Sequence, residues 1–194
     1  MTRRWLADDG PLVLLADAHA AGWEGIWREA AAGDPEDEIE RIAGRRMLMD
    51  AEVDAEHPRT DYARACAALA PSASVALVPY RGGVALALET SGQKAAVLPS
   101  RDGAIVAKWI YAPGETYAAN VLAHVADAVL DWKETGVEWE LPSRGARLHP
   151  AASRFGDGDV SIPVALPPGR YAVATAPFEP DEDSSFELIA LRRR

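Results

Sequence analysis

The side chains able to do chemistry are scattered along this chain rather than grouped. His19, His57, His124 and His149 have no second histidine three or four residues away, and Cys66 is the single cysteine. Neither a zinc motif nor an internal disulfide fits that pattern. Asp157-Gly158-Asp159 begins like a calcium loop, but the twelfth position counted from Asp157 is Pro168 where a bidentate glutamate is needed, so it reads as a turn. Ser91-Gly92-Gln93-Lys94 has the Ser-x-x-Lys spacing of penicillin-recognising enzymes, yet it falls between strands and lacks the Ser-Asp-Asn and Lys-Thr-Gly elements that complete that chemistry. There is no Gly-x-Ser-x-Gly elbow and no glycine-rich phosphate loop. Glu138 and Glu140 share a strand face as an acid/base pair can, although adjacent carboxylates of that kind more often face solvent. No catalytic residue, metal site or cofactor is expected, and an enzyme is expected only if carboxylates of a small hydrolase converge in a polar pocket.

The elements that would position these groups centre on Ser74 to Ala112. Val75 to Val78, Val84 to Leu88 and Ala104 to Tyr111 alternate with period two, Arg81-Gly82-Gly83 joins the first two, and Ala95 to Leu98 adds a short apolar run. This predicts an antiparallel meander with one face buried. Leu12 to Leu15 predicts a short, fully apolar central strand, with Asp17 able to cap the next element. Ala18 to Trp27 predicts a short helix with Trp23 and Trp27 on one side, weakened by Gly22 and Gly25. Residues 30–58 are polar and poorly periodic, with a turn of helix around Glu38 to Arg46 or a strand near Met47 to Met49.

Thr60 then offers an N-cap, Asp61 suits the first turn, Tyr62, Ala65, Cys66 and Leu69 come next at helical spacing, and Pro71 stops the helix. Cys66 on that stripe reads as a buried, inert thiol. Tyr117, Val121, Leu122, Val125, Val129 and Trp132 predict an amphipathic helix from Glu115, closed by Gly136 and lying across the sheet. Its opposite face, with Asn120, His124, Asp127 and Asp131, reads as solvated. Strands are expected again over 137–141, 146–149, 160–165, 171–175 and 186–191. The fold class is α+β: an antiparallel meander with a packed amphipathic helix in a lobe of residues 1–136, and a C-terminal antiparallel β lobe over 137–194, or both in a single domain.

The 194 residues carry a net charge of −10, placed unevenly. Asp34 to Glu56 contributes −6, Glu179, Asp181, Glu182 and Asp183 contribute −4, and the remainder is neutral. Binding to nucleic acid or an anionic membrane is disfavoured, because phosphate contact needs concentrated lysine and arginine. A basic protein partner fits better, with Asp34, Glu36, Asp37, Glu38, Asp50, Glu52, Asp54, Asp181, Glu182 and Asp183 as candidate contacts; solvated acidic loops are the plainer alternative. No apolar run approaches the roughly 20 residues of a membrane span. The N-terminus lacks the apolar core of a signal peptide, so a cytoplasmic location is expected.

Several stretches together carry a family resemblance. They are Trp5, Gly10-Pro11-Leu12-Val13-Leu14-Leu15, Trp23 with Gly25, Thr60-Asp61-Tyr62-Ala63-Arg64-Ala65-Cys66, and Trp109-Ile110-Tyr111-Ala112. In order and spacing, from Trp5 to Trp132, the chain resembles the Imm21 (immunity protein 21) family, whose members accompany bacterial polymorphic toxins. It departs from the family pattern at Ala16, at Leu88-Glu89 and at Ala95-Ala96-Val97. The resemblance implies neutralisation of a cognate toxin domain by tight binding in the producing cell, the toxin being encoded next door. A basic toxin such as a nuclease would suit the acidic segments. A non-catalytic structural or regulatory subunit of another complex is the alternative function.

Overall fold

The computed structural model describes residues 4–7, 10–29, 41–42, 45–47, 58–69, 72–156, 158 and 160–194. Two five-stranded antiparallel sheets dominate it. The first contains β1 (Leu12–Ala16), β5 (Val75–Tyr80), β6 (Gly83–Leu88), β10 (Ala146–Pro150) and β11 (Ile162–Val164), in the order β11-β10-β1-β6-β5. The second contains β7 (Ala95–Ser100), β8 (Gly103–Tyr111), β9 (Lys133–Leu141), β12 (Gly169–Asp181) and β13 (Ser184–Arg193), in the order β7-β8-β13-β12-β9. A small third sheet joins β2 (Trp27–Glu29), β3 (Arg41–Ile42) and β4 (Arg45–Met47). The helices are α1 (Asp61–Leu69) and α2 (Glu115–Leu122). The class is therefore α+β with mostly strands, and chain from before and after residue 136 pairs within both large sheets.

The two sheets pack face to face. Leu14, Leu86 and Leu148 from the first meet Val106, Trp139, Tyr171, Val173 and Ile189 from the second. Each outer face is covered in turn. Val13, Leu15, Val78 and Tyr80 pack under α1 and Trp23, while Ile105, Phe178, Phe186 and Leu188 pack under Leu122 and Val125. Central strands in such a stack are buried on both sides, which is why β1 has no exposed residue.

That stacking divides the predicted meander. The β5–β6 hairpin belongs to the first sheet and the β7–β8 hairpin to the second, with residues 89–94 crossing between them. The reason is visible in burial: Ala85 to Leu88 and Ala104 to Lys108 are buried without interruption, and an open sheet wetted on one face cannot do that.

Three helical expectations are corrected. The stripe beginning at Tyr117 continues only to Leu122, then through a 3-10 turn at Val125–Asp127, and Val129 is fully exposed. Gly136 lies inside β9 at φ +77°, where the register with β12 shifts, and Thr135 Oγ donates to Val173 O (2.8 Å) at that irregularity. Pairing with β12 has overridden the helical pattern here. Trp23 and Trp27 do not share a helix face: a 3-10 turn spans only Ala20–Gly22, Gly25 takes φ +61°, Trp23 is core and Trp27 starts β2. Cys66 is half-buried rather than fully enclosed, because the buried stripe of α1 runs through Ala65 and Leu69. The acidic segment after Phe178 is mostly strand, with only Glu182 and Asp183 forming the turn.

One hydrogen bond ties sheet to sheet. Val84 on β6 lies beyond Leu86, the last β6 residue toward that end to pair with β1, and its carbonyl points to that unpaired side. The buried Trp139 indole on β9 donates its Nε1–H to Val84 O at 2.9 Å. Trp139→Phe should cost about 1–3 kcal/mol through lost volume and an unpaired carbonyl. Urea unfolding followed by far-ultraviolet circular dichroism checks this, with a lowered midpoint expected and an unchanged slope.

Candidate functional site

The residues that carry the family resemblance meet in two places. The first is the start of α1. Thr60 Oγ accepts the Ala63 N–H (3.1 Å), capping the helix as its sequence position requires. Asp61, 3% exposed, accepts the Glu24 N–H at 2.7 Å and pairs with the Arg64 guanidinium one turn on. Tyr62 N–H donates to Gly25 O (3.0 Å), and a Cβ on Gly25 would lie 2.3 Å from Ala152 O. Trp23 Nε1–H donates to Ala151 O (3.0 Å), and Ala151 N–H donates to Pro11 O (3.0 Å). Gly10 lies under the Tyr62 ring, which a Cβ there would approach to 2.8 Å. Gly10, Pro11, Trp23, Asp61, Tyr62 and Arg64 thus clamp α1 and the 23–25 turn onto the first sheet. Cys66 sits at the rim of this region, in a cleft of about 480 Å³ with Pro11, Ser74 and Glu89.

The second place is the far end of the second sheet. Leu6 and Ala95 exchange backbone hydrogen bonds (2.8 and 2.7 Å), which sets Trp5 edge-on against Trp109 at 4.8 Å. Trp109 in turn meets Phe186 at 6.4 Å, and Lys94 Nζ lies 5.8 Å from the Trp109 ring. Tyr111 stands at the end of β8, opposite Ser185, and is half exposed. The β12–β13 hairpin ends beside it. Asp181 accepts from Ser184 Oγ (2.7 Å), Tyr117 Oη (2.9 Å) and the Asp183 N–H (3.1 Å). These donors, Ser184 first, hold the Asp181 carboxyl below the ordinary carboxylate range, and the same Tyr117–Asp181 bond pushes the Tyr117 hydroxyl up.

Of the ten carboxylates predicted to meet a partner, Asp181, Glu182 and Asp183 sit together and exposed at this hairpin tip. Asp34, Glu36, Asp37, Glu38, Asp50, Glu52 and Asp54 lie outside the described residues, as do His57, Asp157 and Asp159. Ile110 and Tyr111 are both exposed, which has no signal in the sequence, because strict alternation places them on opposite faces.

The isolated chemical groups are occupied elsewhere. Ser91 gives both its N–H (2.6 Å) and Oγ (2.7 Å) to Glu89, while Lys94 pairs with Glu115 (2.5 Å), so serine and lysine do not form a nucleophile and base. Glu138 faces Arg170 (3.7 Å) and Arg194 (4.0 Å) on the surface. His124 is exposed, and His149 packs on Phe155 with Nε2 3.0 Å from Ser153 O. Among the described residues, no three His, Cys, Asp or Glu side chains are grouped to hold a metal. No described helix is long and apolar enough to cross a membrane.

Asp61 carries a measurable consequence. Burial raises its carboxyl above the ordinary 3.8, and the Glu24 N–H and Arg64 offset this only partly. The folded chain therefore holds that proton to higher pH than the unfolded chain, so the contribution of Asp61 to stability falls as pH rises from about 3.8 through the raised value. The stability difference between wild type and Asp61→Asn, measured by urea unfolding across that range, should shift in favour of the variant as pH increases. Asp61→Ala, which leaves the Glu24 N–H without its acceptor, should cost about 1–3 kcal/mol.

Comparison with known proteins gives a single positive result. The sequence model of the family described as immunity protein 21 matches residues 4–184 of the 194. No curated protein and no solved structure matches. The match takes in the first sheet, the second sheet up to the start of β13, the α1 clamp and the aromatic end of β8, and by it this chain belongs to the immunity protein 21 family.

Proposed function

We propose that this protein binds a cognate toxin domain of a bacterial polymorphic toxin system and neutralises it by occluding its active site or substrate surface. The observation that carries this reading is the family match across residues 4–184. The chemistry of the described residues supports a binding role: Ser91 is held in a turn, and Lys94 and Glu138 are engaged in ion pairs. The protein acts in the cytoplasm of the producing cell, before the toxin reaches a target there. Its acidic segments, Asp34 to Glu56 and Glu179 to Asp183, steer encounter with a basic toxin, of which a nuclease is the natural example.

Expression of the toxin domain from the neighbouring gene in a heterologous host, with and without this protein, tests the reading. Survival should return when the pair is matched and be lost when the toxin is replaced by an unrelated one. Soluble immunity protein with neither rescue nor a complex would overturn the proposal. Amide substitutions at Asp181, Glu182 and Asp183 should lower the association rate several-fold at low salt and flatten its dependence on ionic strength. Stopped-flow association between about 20 and 300 mM salt reads this directly.

A further inference from the structure

We propose that the docking core of this protein is the end of the second sheet where Ile110 and Tyr111 stand beside the Glu179–Asp183 hairpin tip. Its occupant is a lysine- or arginine-rich polypeptide surface of the toxin. The inference rests on the neutralisation reading and adds to it the face used and the chemistry it recognises.

Two irregularities at the same level build this face. Between Phe186 and Ser185 the register with β8 steps from Trp109 to Tyr111, so Ile110 is an extra residue with no opposite number. Across β13, between Phe186 and Ser184, the register with β12 steps from Phe178 to Asp181, which leaves one extra residue at Glu179–Pro180. Ser185 is flanked by a bulge on each side. A bulge interrupts alternation and re-aims side chains. Consecutive Ile110 and Tyr111 are both turned to solvent, 39% and 48% exposed, whereas Ile105 to Lys108 on the same strand are buried. Regular pairing would have left at most one of the two outside.

The neighbouring charge is of one sign. Asp181 is fixed by Ser184, Tyr117 and the Asp183 N–H, and Glu179 accepts from Ser185 Oγ (3.3 Å), so the tip is held in one shape. Glu182 and Asp183 are exposed and have no cationic partner among the described residues. Lys94 and Lys108 are already neutralised, by Glu115 and by Glu187 at 3.2 Å. Four carboxylates therefore act on whatever approaches, which excludes phosphate-bearing partners and favours a basic one. The half-exposed tyrosine and isoleucine, next in the strand to Trp109, supply apolar area at little cost in side-chain freedom. Charge sets the rate of encounter here, and the aromatic step sets the lifetime.

Two measurements test this. Binding to the catalytically inactive toxin domain is monitored by surface plasmon resonance for wild type, Tyr111→Ala and Ile110→Ser. Both variants alter exposed positions and should fold normally. The expected result is dissociation faster by about tenfold or more, with association within about twofold. Dissociation unchanged in both variants, while wild type still binds, would overturn the docking core and leave neutralisation standing. Separately, heptalysine is titrated into the ¹⁵N-labelled protein without toxin. The largest amide shifts should fall on residues 110–112 and 179–185 and vanish in Glu182→Gln/Asp183→Asn; shifts centred elsewhere would overturn the recognition chemistry. If heptalysine maps to the tip but the wild-type protein binds no neighbouring toxin, the neutralisation reading fails and the basic-polypeptide surface stands.

Discussion

The indole of Trp139 is buried between the two large sheets and donates across them to the carbonyl of Val84, which lies past the end of the β1–β6 pairing. Much else depends on the sheets keeping that face-to-face arrangement. It buries Leu14, Leu86 and Leu148 against Val106, Tyr171 and Val173, and it leaves each outer face to be closed by a helix. Pro79 in edge strand β5 blunts further pairing at that edge.

The family-type residues divide by role in the light of that frame. Gly10, Pro11, Trp23, Asp61, Tyr62 and Arg64 act on their own chain: each fills, approaches or hydrogen-bonds a neighbour within the α1 clamp. They fix the covering of the first sheet's outer face. Trp109 and Tyr111 sit where the second sheet loses its regularity and opens to solvent. Residues that carry one resemblance can thus fix a scaffold in one segment and border the proposed docking surface in another. Asp61 shows the energetic side of scaffold work, because its burial is only partly offset by the bonds that it accepts.

Several elements were legible because local chemistry determined them. Thr60 as cap, Asp61 in the first turn and the stop before Pro71 located α1 closely. The unbroken Leu12–Leu15 run named β1 as central, and the family resemblance reached through Trp109 to Tyr111. What could not be read was set at long range. Period-two alternation at Val75 to Tyr111 is the same whether four strands share a sheet or divide between two, and only the burial of both faces distinguishes them. The stripe after Glu115 satisfied helical spacing through Trp132, but β12 offered Lys133 to Leu141 a ladder that local propensity does not register. Bulges at Ile110 and Glu179–Pro180 have no sequence signature, so the acidic charge at 179–183 was visible while its place beside two exposed apolar side chains was not.

In the proposed complex, a rigid acidic tip and an aromatic step at one end of the second sheet engage the toxin together. Hydrogen–deuterium exchange of this protein, alone and with the inactive toxin domain, measures that most directly. New protection is expected at residues 109–112 and 179–186, with the α1 clamp and the β10–β11 edge unchanged. Protection centred on the clamp or on that edge, with the hairpin tip exchanging as in the free protein, would contradict it.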